Sequence, residues 1–162
     1  LESSYVSKYS ADLFRAALNG DWKTVLEIAS EGPAWLRTAI TKGGETVLHM
    51  AAAARHLEVV AVVIETDPTS LIYTNKDGST PFCFAAVSGV IEIAEMMRQQ
   101  NYELPNIRGR QGMTPRHMAV LVGDRAMVWY LLKVTDDNKL TDQERTEILT
   151  SSIDSDIWPV DY

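Results

Sequence analysis

Between positions 43 and 53 the chain reads Gly43-Gly-Glu-Thr-Val-Leu-His-Met-Ala-Ala-Ala53, a two-glycine turn running into an apolar stretch that holds one histidine. Such a histidine either does chemistry or ties the turn to a helix. The stretch recurs. Leu48-His-Met-Ala-Ala52 aligns with Leu13-Phe-Arg-Ala-Ala17, Phe82-Cys-Phe-Ala-Ala86 and Arg116-His-Met-Ala-Val120, at successive offsets of 35, 34 and 34 residues. A period of that length makes the repeat, not the single histidine, the unit to be read.

Seven residues after each anchor stand Gly20, Arg55, Gly89 and Gly123, and a glycine there ends a short helix and lets the chain reverse. A second apolar segment follows each time, at 22–29, 57–64, 91–97 and 126–132, with helical spacing such as Val60, Val63 and Ile64. Three anchors are preceded by glycine-centred turns, Lys42-Gly-Gly-Glu-Thr46, Lys76-Asp-Gly-Ser-Thr80 and Arg110-Gln-Gly-Met-Thr114. Thr46, Thr80 and Thr114 are the natural N-caps. Pro81 and Pro115 fall at the first helical position, where a missing N–H costs nothing.

A glycine turn, Thr-Pro and Leu-His-x-Ala-Ala on this period resemble the ankyrin repeat. The resemblance implies an all-α fold, an ankyrin-repeat solenoid of stacked helix-turn-helix units with short β-hairpin loops. The expected organisation is one domain over 1–162, with repeats at about 11–40, 45–74, 79–107 and 113–135 and a divergent fifth unit at 140–162. In the fifth unit Thr141 and Glu144 form a capping box, and residues 156–162 read as the start of a partner helix, so that the chain stops mid-array. The strings GDWKTV, ITKGGETVLHMAA, FAAVSGVIEIAEMM, LPNIRGRQGMTP and DRAMVWYLL are similar to the N-terminal ankyrin region of plant ankyrin-repeat membrane proteins. That narrower resemblance implies a cytosolic domain of a plasma-membrane protein in stress or immune signalling, whose Pro-Gly-Gly-motif membrane segment is absent from this chain.

Four departures stand out. Arg116 occupies the place of a buried Leu, Arg55 replaces a turn glycine, Val47 replaces Pro, and Phe82-Cys83 replace Leu-His. A buried charge at Arg116 costs several kcal/mol unless it is paired or reaches water, and its long stem predicts that the tip reaches water.

At 46% hydrophobic and 23% charged residues, 162 residues suffice for one folded unit. A net charge of -7 argues against nucleic acid, whose binding needs clustered Lys and Arg. Cys83 stands alone, so no intrachain disulfide forms and no thiolate pair can hold zinc. No window approaches the roughly 18 to 20 apolar residues of a membrane span. The first residues, Leu1-Glu-Ser-Ser, have neither the basic start nor the apolar core of a signal peptide, and the absence of Met fits a segment of a longer chain.

His49 and His117 each lie three residues after a Thr, and no nucleophile recurs beside them, so fastening of hairpin to helix is the expectation. Cys83 in the same place reads as a small buried thiol, and His56 as an exposed turn residue. Asp154-Ser-Asp156 lacks the glycine and the terminal Glu of a calcium loop, Asp136-Asp137 runs into Lys139, and Gly43-Gly44 lacks the Lys-Ser/Thr ending of a phosphate loop. No metal or cofactor is implied. Trp22, Trp35 and Trp129 read as packing residues and Trp158 as an exposed end.

Function in a repeat stack falls on its concave side, formed by hairpin tips and the free side of the first helices. Register assigns to it Lys42, Glu45, Lys76, Asp77, Ser79, Arg108, Arg110, Gln111 and Met113 on the hairpins. On the helices it assigns Leu18, Asn19, Ala53, Ala54, Val87, Ser88, Leu121 and Val122. Val87, Leu121, Val122 and Met113 are apolar and rimmed by Arg108 and Arg110, which predicts a groove for a protein segment with an apolar anchor and acidic flanks. The competing expectation is that these side chains pack against the next repeat. A protein-interaction module is therefore expected, with structural self-assembly or a regulatory domain of a channel-like membrane protein as the alternative, and no enzyme, since no reactive constellation appears.

Overall fold

Every glycine-turn and Thr-Pro signal becomes a helix boundary in the computed structural model, which describes residues 2–154. The helices are α1 (Glu2–Asn19), α2 (Trp22–Glu31), α3 (Val47–Ala53), α4 (Leu57–Thr66), α5 (Pro81–Ser88), α6 (Ile91–Gln100), α7 (Pro115–Val122), α8 (Arg125–Val134) and α9 (Asp142–Asp154). Helix α1 starts well before residue 11, as nothing in the first 19 residues is Gly or Pro to stop it. Residues 156–162, including Trp158, lie outside the described residues.

Helices α3, α5 and α7 have seven or eight residues, and α2, α4, α6 and α8 have ten each. Helices so short do not hold alone in water, so their stability comes from packing. The inner helices α1, α3, α5 and α7 pack in sequence, as do the outer helices α2, α4, α6 and α8 behind them. The Ala pairs explain the close inner layer: Ala16-Ala17, Ala51-Ala52 and Ala85-Ala86 are buried, as are Ala119 and Val120. Leu13, Leu48 and Phe82 fill one anchor place in the continuous core, while Val25, Val60, Ile93 and Met127 reach it from the outer layer.

The reversal between helices needs a left-handed residue. Gly20, Gly89 and Gly123 supply it with φ of 72°, 80° and 83°, and Arg55 adopts the same conformation with φ of 65°. For a residue with a Cβ that conformation costs about 1 kcal/mol or more.

The hairpins are shorter than a β-ladder. Each is a four-residue turn closed by a single outer rung: Asn75 N–H to Ser79 O at 3.0 Å, Gly109 N–H to Met113 O at 2.9 Å, and Ile40 N–H to Glu45 O at 2.8 Å. One rung is too little for a strand, and none forms among the described residues. Successive hairpins are joined by Lys76 N–H to Gly43 O at 2.8 Å and by Arg110 N–H to Ser79 Oγ at 3.0 Å. At Gly109 a side chain has no room, since a Cβ there would lie 2.7 Å from Ser79 Oγ and 2.9 Å from Cys83 Sγ.

The expectation that Arg116 reaches water is corrected. Arg116 is buried, and its Nη1 lies 2.6 Å from Asp137 Oδ1, on the turn that leads into α9. The pair sits beside a hollow of about 400 Å³ shared with Val128, Leu132 and Ile148, and Arg116 Nε has no acceptor. Removing Asp137 strands the buried Arg116 charge, whereas an apolar residue at 116 strands nothing, because Asp137 is 63% exposed and stays in water. Asp137→Ala is therefore expected to cost about 2 kcal/mol and Arg116→Leu to be neutral or stabilising. In guanidinium melts the double variant is expected to match Arg116→Leu within about 0.5 kcal/mol.

Candidate partner-binding surface

His49 joins a helix start to the following hairpin. The Thr46 backbone N–H donates to His49 Nδ1 at 3.1 Å, so Nδ1 is unprotonated and Nε2–H donates to Ser79 O, 30 residues on, at 2.9 Å. Thr46 Oγ1 is 2.9 Å from the same Nδ1, and the ring meets Phe84 edge-on at 5.1 Å. Burial lowers the His49 pKa below its ordinary 6.5, opposed by the Ser79 carbonyl and by Glu45. A neutral imidazole with both nitrogens engaged has no free base to offer. Cys83, in the same place one repeat on, is buried with Sγ 3.7 Å from Thr80 Oγ1, and burial raises its thiol pKa. His117 is half-buried; its backbone N–H goes to Thr114 Oγ1 at 3.2 Å.

His56 is more than an exposed turn residue. Its Nε2–H donates to Leu18 O at 2.8 Å, covering a carbonyl at the end of α1, and its ring occupies the space beside Gly20. Trp22 is 39% exposed on α2 and does not join the core, whereas Trp35 packs onto it and lies 4.7 Å from the Tyr9 ring.

On the concave side the inner helices expose apolar side chains. Val87 is 44% exposed, Leu121 56% and Val122 54%, and Leu18 is 41% exposed farther along the same face. Each keeps roughly half of its surface open. Val87, Leu121 and Val122 line a groove of about 700 Å³, together with Ala53, Phe84, Met113 and Met118. Its polar margin is made by Glu45, Arg55, Asn75, Asp77, Ser79 and Arg110.

Two residues that register places at this surface line the groove but expose little of themselves. Ser79 is buried, its hydroxyl accepting from Arg110 N–H, and Ser88 is buried, its hydroxyl donating to Ala85 O at 2.9 Å. Arg108 does not rim the groove: it donates to Gly112 O at 3.1 Å and Lys139 O at 2.9 Å and pairs with Glu144 of α9. Glu45 is engaged by Asn75 Nδ2 at 3.0 Å and by the Thr41 hydroxyl. Lys42, Ala53, Lys76, Asp77, Arg110 and Gln111 are exposed, and Ala54 and Met113 half-buried. Among the described residues no cluster of His, Cys, Asp or Glu could hold a metal ion, and no helix is long and apolar enough to cross a membrane.

A family model described as ankyrin repeats, in three copies, matches residues 13–108, from the start of the first core anchor to the third hairpin. The chain belongs to the ankyrin-repeat family. No curated protein matches it significantly. Ankyrin-repeat domains are protein-interaction modules and are typically non-catalytic.

One element of this ankyrin-repeat domain has no signal in its sequence. Tyr130 of α8 donates to Glu95 Oε2 at 2.5 Å, and Arg98 holds both oxygens of the same carboxylate at 2.8 Å, tying α6 to α8 on the outer face. Hydrogen bonds from Arg98 and Tyr130 push the Glu95 pKa down to about 2.

The His49 bridge makes stability depend on pH with a defined sign. Because the folded-state pKa lies below the unfolded 6.5, the unfolded chain takes up the proton first, so stability is complete above about pH 6.5 and declines as pH falls through that value. His117, also lowered by burial, acts in the same sense. His49→Ala is expected to lose about 2 kcal/mol at pH 7 by leaving Ser79 O unpaired, and to show a shallower decline between pH 7 and 5 than the native chain. Urea melts across that range measure both.

Proposed function

We propose that the domain binds a protein partner through the concave groove, with Val87, Leu121 and Val122 as its apolar floor. The observation that carries this reading is the 56% and 54% exposure of Leu121 and Val122 beside a groove of about 700 Å³. Apolar side chains grouped on a surface and left about half open are what a binding site presents. Ala53, Ala54, Lys42, Lys76, Asp77, Arg110, Gln111 and Met113 belong to the same proposed surface, with Glu45, Ser79 and Ser88 in the groove lining, whereas Arg108 turns to α9. The reading asks for an apolar anchor with acidic flanks, since Arg55 and Arg110 are the cations of the margin.

The finer setting is also a proposal. The similarity to plant ankyrin-repeat membrane proteins supports a cytosolic domain in stress or immune signalling, anchored at the plasma membrane through segments outside this chain. Self-assembly is favoured by a separate observation: Leu149 and Ile153 expose an apolar edge of α9 at the end of the stack.

Leu121→Asp with Val122→Asp is expected to abolish partner capture by the immobilised domain while leaving helical circular dichroism unchanged. Loss of helical signal would instead mean that the two side chains support the fold. A mass that rises with concentration, by sedimentation, and falls on Ile153→Asp would favour self-assembly.

A further inference from the structure

Two series of side chains keep the same register along the concave face. Leu18, Ala53, Val87 and Leu121 follow one another at 35, 34 and 34 residues, and all four are exposed. On the hairpins, Lys42, Lys76 and Arg110 follow at 34 and 34 residues, each the second residue of a turn whose fourth is Gly44, Gly78 or Gly112. All three are exposed, and none is in an ion pair among the described residues. Arg110 lines the groove itself, and Lys42 and Lys76 hold the same turn position in the two preceding hairpins. Of the two carboxylates on this margin, Glu45 is engaged by Asn75 and Thr41, which leaves Asp77 as the exposed anion.

Packed helices lie about 8–10 Å apart, so both series repeat at roughly that distance. A β-strand covers about 10 Å in three residues but turns alternate side chains to opposite faces, so its residues i and i+3 cannot both face the ladder. An α-helix matches the spacing with seven residues, at about 10.5 Å. A polyproline-II chain matches it with three, at about 9.3 Å, and keeps every third residue on one face.

Spacing separates the last two: the polyproline-II repeat of about 9.3 Å falls inside the roughly 8–10 Å range of packed helices, and the seven-residue helical repeat of about 10.5 Å falls outside it.

We propose that the groove takes an extended, polyproline-II-like segment with an apolar residue at every third position and Asp or Glu at one intervening position with the same period. The apolar face meets Ala53, Val87 and Leu121, the acidic face meets the Lys42, Lys76 and Arg110 edge, and the third face stays in water. Ala53 is the smallest rung, so the bulkiest anchor seats there, beside Phe84. This inference rests on the reading that the groove binds a protein segment.

The test is selection of a displayed library of random peptides, about twelve residues long, on the purified domain. Anisotropy of labelled hits is then measured on the native chain and on Ala53→Trp, Arg110→Glu and Leu121→Asp/Val122→Asp. Ala53 is exposed, so Ala53→Trp fills the groove without touching the core. The expected hits carry the three-residue period, lose at least about tenfold affinity on Ala53→Trp, and lose about two- to fivefold on Arg110→Glu. Their affinity also falls between about 50 and 300 mM salt. Hits that are lost on Ala53→Trp but show a seven-residue or alternating apolar pattern overturn the extended segment and keep the groove as a protein site. A selection without hits, or with hits indifferent to Ala53→Trp and Leu121→Asp/Val122→Asp, overturns both.

Discussion

A pair of helices with seven to ten residues each cannot bury its own apolar stripe, and everything else in this chain follows from that constraint. Each pair is completed only by its neighbours, which is why the inner layer is lined with alanines that allow close approach and why the anchors Leu13, Leu48 and Phe82 are fully enclosed. The hairpins contribute through backbone pairing to one another and through His49, whose two ring nitrogens span the joint between one repeat and the next. Stacking buries one side of each inner helix and leaves the other side free. The proposed binding surface is thus a by-product of the way the core is built.

Much of this was legible because the signals are local and periodic. A glycine at 20, 89 or 123 marks the reversal because only a left-handed residue can make it, and Thr-Pro at 80–81 and 114–115 marks a helix start because Pro needs no N–H partner, with the Thr114 hydroxyl capping the first turn and the Thr80 hydroxyl making no such bond. The concave ladder was legible for the same reason, since Ala53, Val87 and Leu121 inherit their direction from the register of the helix they sit on.

What escaped is what joins residues far apart in the chain without repeating. The long stem of Arg116 predicts a tip in water; its partner, Asp137, lies 21 residues on in a turn with no repeat signature. Arg108 shares the hairpin of Arg110, yet it faces Glu144, 36 residues away, and leaves the groove edge. His56 finds Leu18 O, 38 residues back. Ser79 and Ser88 show a second limit. Register tells which way a backbone position points, but a small hydroxyl can still satisfy a nearby backbone group, and both serines do.

The Arg108 contact with α9 also gives the stack unequal joints. Between the second and third repeats the seam is a buried, neutral imidazole against a carbonyl, which dissolved ions hardly affect. At the far end the seam is ionic: Arg108 with Glu144, Lys139 with Glu103, and Arg116 with Asp137, the first two at least partly open to water. Ionic strength therefore loosens the terminal helix and spares the middle of the array. The domain has unequal seam strength, firm at the His49 joint and releasable at the end where α9 closes the stack.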